Sequence, residues 1–209
     1  VDDVPYRANI NGMDALHKGV EMDFSYRILN NLSVEGLLSL GDWQWTSADT
    51  VRFLDDNNNP ITDDFGNEII ASFDADGVHV GDAAQTQYGL SIRYEPTYES
   101  YIKLRGTYFD NYYADFDPLS LNGANAGRES WKIPAYQLVD LHCGYKFKLS
   151  DKNKLDIRFS VLNVLDEMYI SDAQNNDPYN ANYQDFDAKS AGVFFGLGRR
   201  FNLSAKFSF

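Results

Sequence analysis

The chain has 209 residues, with 31 Asp and Glu against 18 Lys and Arg, for a formal net charge of −13. That much acid argues against a nucleic-acid binder, and 14 Tyr with 14 Phe argue against a disordered chain. A single cysteine excludes an intrachain disulfide framework and a Cys-rich zinc site.

The sequence opens on Val1 without a leader, the pattern of a processed chain or of a piece of a longer one. From Val20 onward it alternates with period 2. Val20, Met22, Phe24, Tyr26 and Ile28 are apolar, with Glu21, Asp23, Ser25 and Arg27 between them. After Asn30-Asn31 the pattern resumes at Leu32, Val34, Gly36, Leu38 and Leu40, with Leu37 out of phase. Further alternating runs are Tyr88–Tyr94, Ile102–Tyr108, Val139–Phe147, Leu155–Val161 and Phe201–Phe209. These predict seven strands, at roughly 18–29, 32–45, 85–95, 101–112, 136–149, 155–165 and 199–209. Most are about ten residues, the length of a tilted strand that crosses a bilayer. No segment has a helical period. The longest apolar run, Ala191–Gly198, is too short for a membrane helix.

The connections alternate in length. Short turns lie at Asn30-Asn31, Glu95–Ser100 and Ser150–Lys154, and long loops at 46–84, 113–135 and 166–190. An up-and-down barrel of the outer membrane has this arrangement, with short periplasmic turns and long extracellular loops. In such a barrel the apolar face meets lipid and the polar face lines the lumen. Aromatic residues at strand ends (Tyr26, Tyr94, Tyr108, Tyr145, Phe147, Phe207) read as interfacial girdles. The long loops carry net charges of −8, −1 and −5, which makes one end of the barrel acidic and marks it as the cell exterior.

Lumen-facing candidates are Glu21, Asp23, Arg27, Arg93, Lys103, Arg105 and Arg158, with the bases expected opposite acids such as Glu21 and Asp23. Trp43 and Trp45 stand at the upper end of the second strand, and Trp131 lies in a long loop. All three are candidates for substrate contact by stacking, against the plainer reading of belt anchoring or loop packing. Tyr112, Tyr113 and Phe116 read as belt residues, and Cys143 as a small lipid-facing hydrophobe. His17, His79 and His142 are scattered, and no catalytic or nucleotide-binding motif is present, so the sequence predicts neither an enzyme, a cofactor nor a metal centre. Asp55-Asn57-Asn59 has the start of a calcium loop, but Pro60 replaces the turn glycine and Gly66 the final glutamate. Adventitious divalent binding by the acidic loops stays open.

Leu155–Tyr169 contains Asn163-Val164-Leu165-Asp166 followed by Tyr169, and this resembles the penultimate strand of TonB-dependent outer-membrane receptors. Tyr136–Phe147 is similar to the preceding strand of that family, Gly198–Phe209 to its last, and Lys18–Glu21 to a strand opening. The four occur in the family's order. The resemblance implies the last seven strands of a 22-stranded barrel whose plug domain is absent from this chain, with residues 1–12 an extracellular loop end. It implies import of a scarce, bulky nutrient by binding and plug gating in a Gram-negative outer membrane, with the C-terminus periplasmic. Implied partners are the bilayer and lipopolysaccharide, the TonB complex through an N-terminal part, and the barrel assembly machinery acting on Phe207 and Phe209, with a surface lipoprotein as a further option. A passive porin or barrel scaffold, and a soluble secreted β-rich binding module, are the alternatives.

Overall fold

Period-2 patterning of this quality has one low-energy outcome, a pleated sheet with one apolar and one polar face. The structure, a computed structural model, describes residues 13–55, 57–175 and 185–209. The expected loop end at 1–12, Asp56 of the Asp55-Asp56 pair and residues 176–184 of the third long loop lie outside these residues.

Seven long strands form one antiparallel sheet in the order β1 (Ala15–Leu29), β2 (Leu32–Trp45), β5 (Ala84–Thr97), β6 (Ser100–Tyr113), β9 (Tyr136–Lys148), β10 (Lys154–Leu162) and β13 (Arg200–Ser208). Each pairs with the next along the chain, the up-and-down connectivity that alternating short and long connections require. β1 and β13 form the two ends, and among the described residues no ladder joins them, so the sheet they form is open. The long connections are not structureless. They hold β3 (Ala48–Arg52) paired with β4 (Ile70–Asp74), and β7 (Asp115–Phe116) and β12 (Gly192–Phe195) on either side of β11 (Ile170–Asn175). The two-residue β8 (Lys132–Ile133) pairs with β6.

Register keeps the two faces apart across the whole sheet. Phe24, Gly36, Leu90, Gly106 and Val139 lie opposite one another in an apolar row. Ser25, Glu35, Ser91, Arg105 and Asp140 form a polar row on the other face. Leu37, out of phase in sequence, sits on the polar face between Asp23 and Gly89. It packs over Gly89, where a Cβ would lie 3.3 Å from its Cγ.

Three glycines are seats for aromatic rings. A Cβ on Gly36 would overlap the Phe24 ring, one on Gly144 the Tyr101 ring, and one on Gly196 the Tyr169 ring. An aromatic side chain laid over a strand glycine restores the packing the glycine lacks.

Burial is inverted relative to a water-soluble sandwich. Along the strands the apolar face is open: Val20, Met22, Leu90, Ile92, Ile102, Leu104, Phe201 and Leu203 are all exposed. Among the described residues, the buried apolar clusters lie in or beside the long connections. A continuous apolar face of this extent is not stable against water. Hydrocarbon satisfies it, and a sheet whose backbone groups are paired between strands is one of the two architectures that hydrocarbon allows.

Candidate functional site

The polar face is a wall of charges held by neighbours on the sheet. Glu35 on β2 is its hub. Its carboxylate accepts from the Ser91 hydroxyl on β5 at 3.1 Å and forms an ion pair with Lys103 on β6. Arg93 pairs with Glu95 at 3.0 Å and lies 3.9 Å from the centroid of the Tyr101 ring. Arg158 pairs with Asp156 at 2.7 Å. Arg105 donates from Nε to the Thr107 hydroxyl at 3.3 Å. Glu21, Asp23 and Arg27 share this face on β1. The expected pairing of the bases with Glu21 and Asp23 is therefore corrected. Alternation fixes the face of a residue but not which neighbour it meets there: strand order brings Glu35 to Lys103, while Arg93 and Arg158 pair with Glu95 and Asp156 two residues along their own strands.

Above the wall stands a platform built by the long connections. The segment 78–80 extends β2 outward: Trp45 donates its N–H to Val78 O at 2.8 Å and Val80 donates to Trp43 O at 2.9 Å. Buried Gln85 clamps this junction, accepting from Trp43 N–H at 2.8 Å and donating to Trp43 O and Val80 O. His79 stacks on Tyr113 with ring centroids 4.2 Å apart, and its ring meets the Glu129 carboxylate.

The three tryptophans do not converge. Trp43 stacks on His17 at 5.3 Å, and the register places it on the polar face, so it is not a lipid-belt anchor. Trp45 packs against the cluster of Phe73, Val78, Phe116, Leu121 and Phe186, and Trp131 against the cluster of Tyr112, Ala114, Ile133 and Ala173. Tyr112 and Phe116, read from sequence as belt residues, are likewise buried in the platform. Sequence reasoning missed a polar-face aromatic stack at the base of the platform. Phe109 and Tyr136 lie 4.8 Å apart, and Tyr136 and Tyr169 4.5 Å apart.

The calcium-loop reading of Asp55 gives way to a turn motif. Asp55 Oδ1 accepts from the N–H groups of Asn57 and Asn59. Eight residues on, Asp63 Oδ1 accepts from those of Phe65 and Asn67. Bonds from Asn59 and Asn67 hold both carboxyls below the ordinary carboxylate value. Among the described residues no group of three or more His, Cys, Asp or Glu is placed to hold a metal ion.

Asp82 and Asp115 behave oppositely. Burial pushes both carboxyls above the ordinary value, and the charge of Asp172 adds to each shift. A raised folded value means that the protonated form favours the folded platform. Its contribution is fully present below about pH 4 and is lost as pH rises through the folded values. Asp115→Asn is therefore expected to slow amide exchange over residues 114–117 and 170–175 at pH 7, with the gain vanishing near pH 3. An equal gain at both pH values would refute the assignment.

A family model described as TonB dependent receptor-like, beta-barrel matches residues 2–164. The chain belongs to this family. Among solved structures, one named copper transporter OprC aligns with a TM-score of 0.55 at 15% identity, covering 94% of this chain and 24% of that one. At that identity the likeness is one of fold, and this chain spans about a quarter of that chain's length. A search of curated proteins returns no match.

Within a TonB-dependent receptor barrel, whose setting is the Gram-negative outer membrane, the open apolar face is the lipid face. The motif that carried the sequence resemblance is a lock rather than a contact surface. Asn163, buried with φ 52°, takes its N–H to Asp140 Oδ1 at 3.0 Å, donates from Nδ2 to Glu167 O at 2.9 Å, and accepts from Glu167 N–H at 2.9 Å. Asp166 accepts from Arg199 N–H at 2.8 Å, and Arg199 Nε donates to Val164 O at 3.0 Å. These bonds join the end of β10 to the start of β13. Phe207 lies opposite Leu155 on the lipid face, and Phe209 follows the end of β13, almost fully exposed.

Proposed function

We propose that the chain is the C-terminal part of the barrel of a TonB-dependent transporter that imports a scarce, bulky nutrient by binding and plug gating. What supports this is one observation: a seven-strand sheet whose β1 and β13 edges have no partner strand among the described residues, with a lipid-type face and an ion-paired polar wall, in a chain of the receptor-barrel family. A sheet with two free edges in hydrocarbon needs further strands to complete it. In this reading the platform is extracellular and the C-terminus periplasmic. Glu21, Asp23, Arg27, Arg93, Lys103, Arg105 and Arg158 line the lumen against a plug. Trp43, stacked on His17 on the polar face, is the tryptophan that stands outside the two loop clusters and is the one offered to cargo in this reading. Energy reaches the barrel from the TonB complex through an N-terminal part, lipopolysaccharide surrounds the outer half, and Phe207 and Phe209 are read by the assembly machinery. A lipoprotein over the platform fits the same reading.

Planar-bilayer conductance of the intact receptor tests it. A plugged transporter is silent and conducts only when its plug is removed. Steady open conductance from the intact protein would instead establish a porin.

A further inference from the structure

The acids on the polar face of β2, β5, β9 and β10 each have a base within the sheet. Glu35 holds Lys103, and Glu95 holds Arg93. Asp140 stands opposite Arg105 in register, and Asp156 stands between Lys146 and Lys206. β1 breaks this pattern. Glu21 and Asp23 lie two residues apart on its polar face, opposite Ser39 and Leu37, which cannot neutralise them. Arg27, four residues beyond Asp23, lies opposite Ser33. All three are exposed, and among the described residues none forms an ion pair. Lys103 and Arg105 stand three strands from β1, about 14 Å at the usual strand spacing. They are engaged there by Glu35 and Thr107.

The side of β1 away from β2 is an edge of the sheet. A strand laid along it sets side chains about 5 Å from those of β1, where opposite charges stabilise and like charges destabilise. β13 is not that strand. Seven strands, each antiparallel to the next, leave β1 and β13 running the same way. We propose that the strand lying against β1 in the full receptor carries Lys or Arg opposite Glu21 and Asp23, and Asp or Glu opposite Arg27; this rests on the reading of the chain as one part of a larger barrel. In an antiparallel register the acid comes first along that strand, with the bases four and six residues after it. The residues between them alternate onto the apolar face, beside Val20, Met22, Phe24 and Tyr26. Three charges in this order also fix the register. A slip of one residue turns the bases toward the apolar face. A slip of two leaves one base opposite Ser25 or Gly19 and takes the acid away from Arg27.

Disulfide trapping in the full receptor, in a Cys143→Ser background, tests the proposal. Ser25→Cys sits between the charges and is combined with single cysteines scanned along the neighbouring barrel strand. The position that traps gives the register. Lys or Arg is expected two and four residues after it, and Asp or Glu two residues before it. Glu21→Lys with Asp23→Lys should raise the urea unfolding equilibrium constant about tenfold, and exchanging the two facing bases for Glu in the same protein should restore it. Heat-modifiable mobility checks that each variant is a folded barrel, and Glu21→Gln with Asp23→Asn gives a smaller change should the reversed protein not fold. Neutral or acidic residues facing Glu21 and Asp23 would overturn the proposal, as would a reversal without effect. A loss that the facing exchange does not rescue would also overturn it, since the counter-charges would then come from inside the barrel. Ser25→Cys linking two copies of the receptor would make the partner a second copy instead. If no strand traps against β1, the larger-barrel reading fails as well, an outcome distinct from a trapped strand with the wrong charges.

Discussion

Asn163→Ala is expected to cost about 3–5 kcal/mol of unfolding free energy, read as urea unfolding of the full receptor in detergent or lipid. The side chain is buried and joins both ends of one turn: its oxygen accepts from Glu167 N–H, and its amide donates to Glu167 O and, at 3.4 Å, to Leu197 O. Alanine removes all three bonds and leaves the half-buried Glu167 N–H and C=O without them, at about 1–3 kcal/mol each before relaxation, while the Leu197 carbonyl, on an exposed residue, can turn to other partners. It also forces a residue with a Cβ into φ 52°, a region that Asn tolerates better than Ala. Asn163→Gly separates the two contributions. It relieves the backbone conformation but loses the same bonds, so it should fall between wild type and Asn163→Ala. A midpoint for Asn163→Ala within error of wild type would show that the turn is held by Asp166 and Arg199 alone.

How far the sequence reached can be seen from individual positions. The faces of the sheet were legible because a side-chain period of 2 admits no other solution once Val20, Met22 and Phe24 must avoid water. Strand order followed from connection lengths, since a short turn permits only an antiparallel neighbour. Glu35 was not legible as the hub. Its partner Lys103 lies two strands away, with Ser91 between them, and nothing local marks that meeting. The glycine seats could have been found from the register, where Gly36 falls opposite Phe24 and Gly144 opposite Tyr101. The platform was the least legible part. Tyr112 and Phe116 are buried, and Trp45 and Trp131 half-buried, by segments far along the chain, and in sequence they are indistinguishable from belt aromatics. The eight-residue repeat of Asp55–Asn59 and Asp63–Asn67 was visible as residues. Its use as two capped turns depends on backbone N–H groups that a side-chain pattern does not display.

The second large effect separates the platform from the barrel. Gly81 is buried where the 78–80 segment passes β7, and a Cβ there would lie 2.8 Å from both N and Cα of Asp115 and 3.0 Å from the carbonyl carbon of Ala114. All three are backbone atoms, so no rotamer change relieves the contact. Gly81→Val must push the two segments apart, at about 2 kcal/mol or more, which corresponds to roughly 30-fold faster local opening. The hydrogen bonds below that level do not depend on the contact, because β5 and β6 pair in register from Thr86 and Asp110 down to Tyr94 and Ile102. Surface proteolysis within residues 46–84 should therefore accelerate while the folded barrel keeps its heat-modifiable mobility. Gly81→Ala should show the same change in smaller measure, since one methyl needs less displacement than a branched side chain. Loss of the folded barrel together with the loops would mean that platform and sheet form one cooperative unit. Unchanged protection would mean that the Gln85 clamp and the His79–Glu129 contact hold the platform without the Gly81 approach. The outcome also bears on transport. If the platform shapes the entrance, Gly81→Val lowers uptake while leaving assembly intact, a pairing that a defect in the barrel wall would not give.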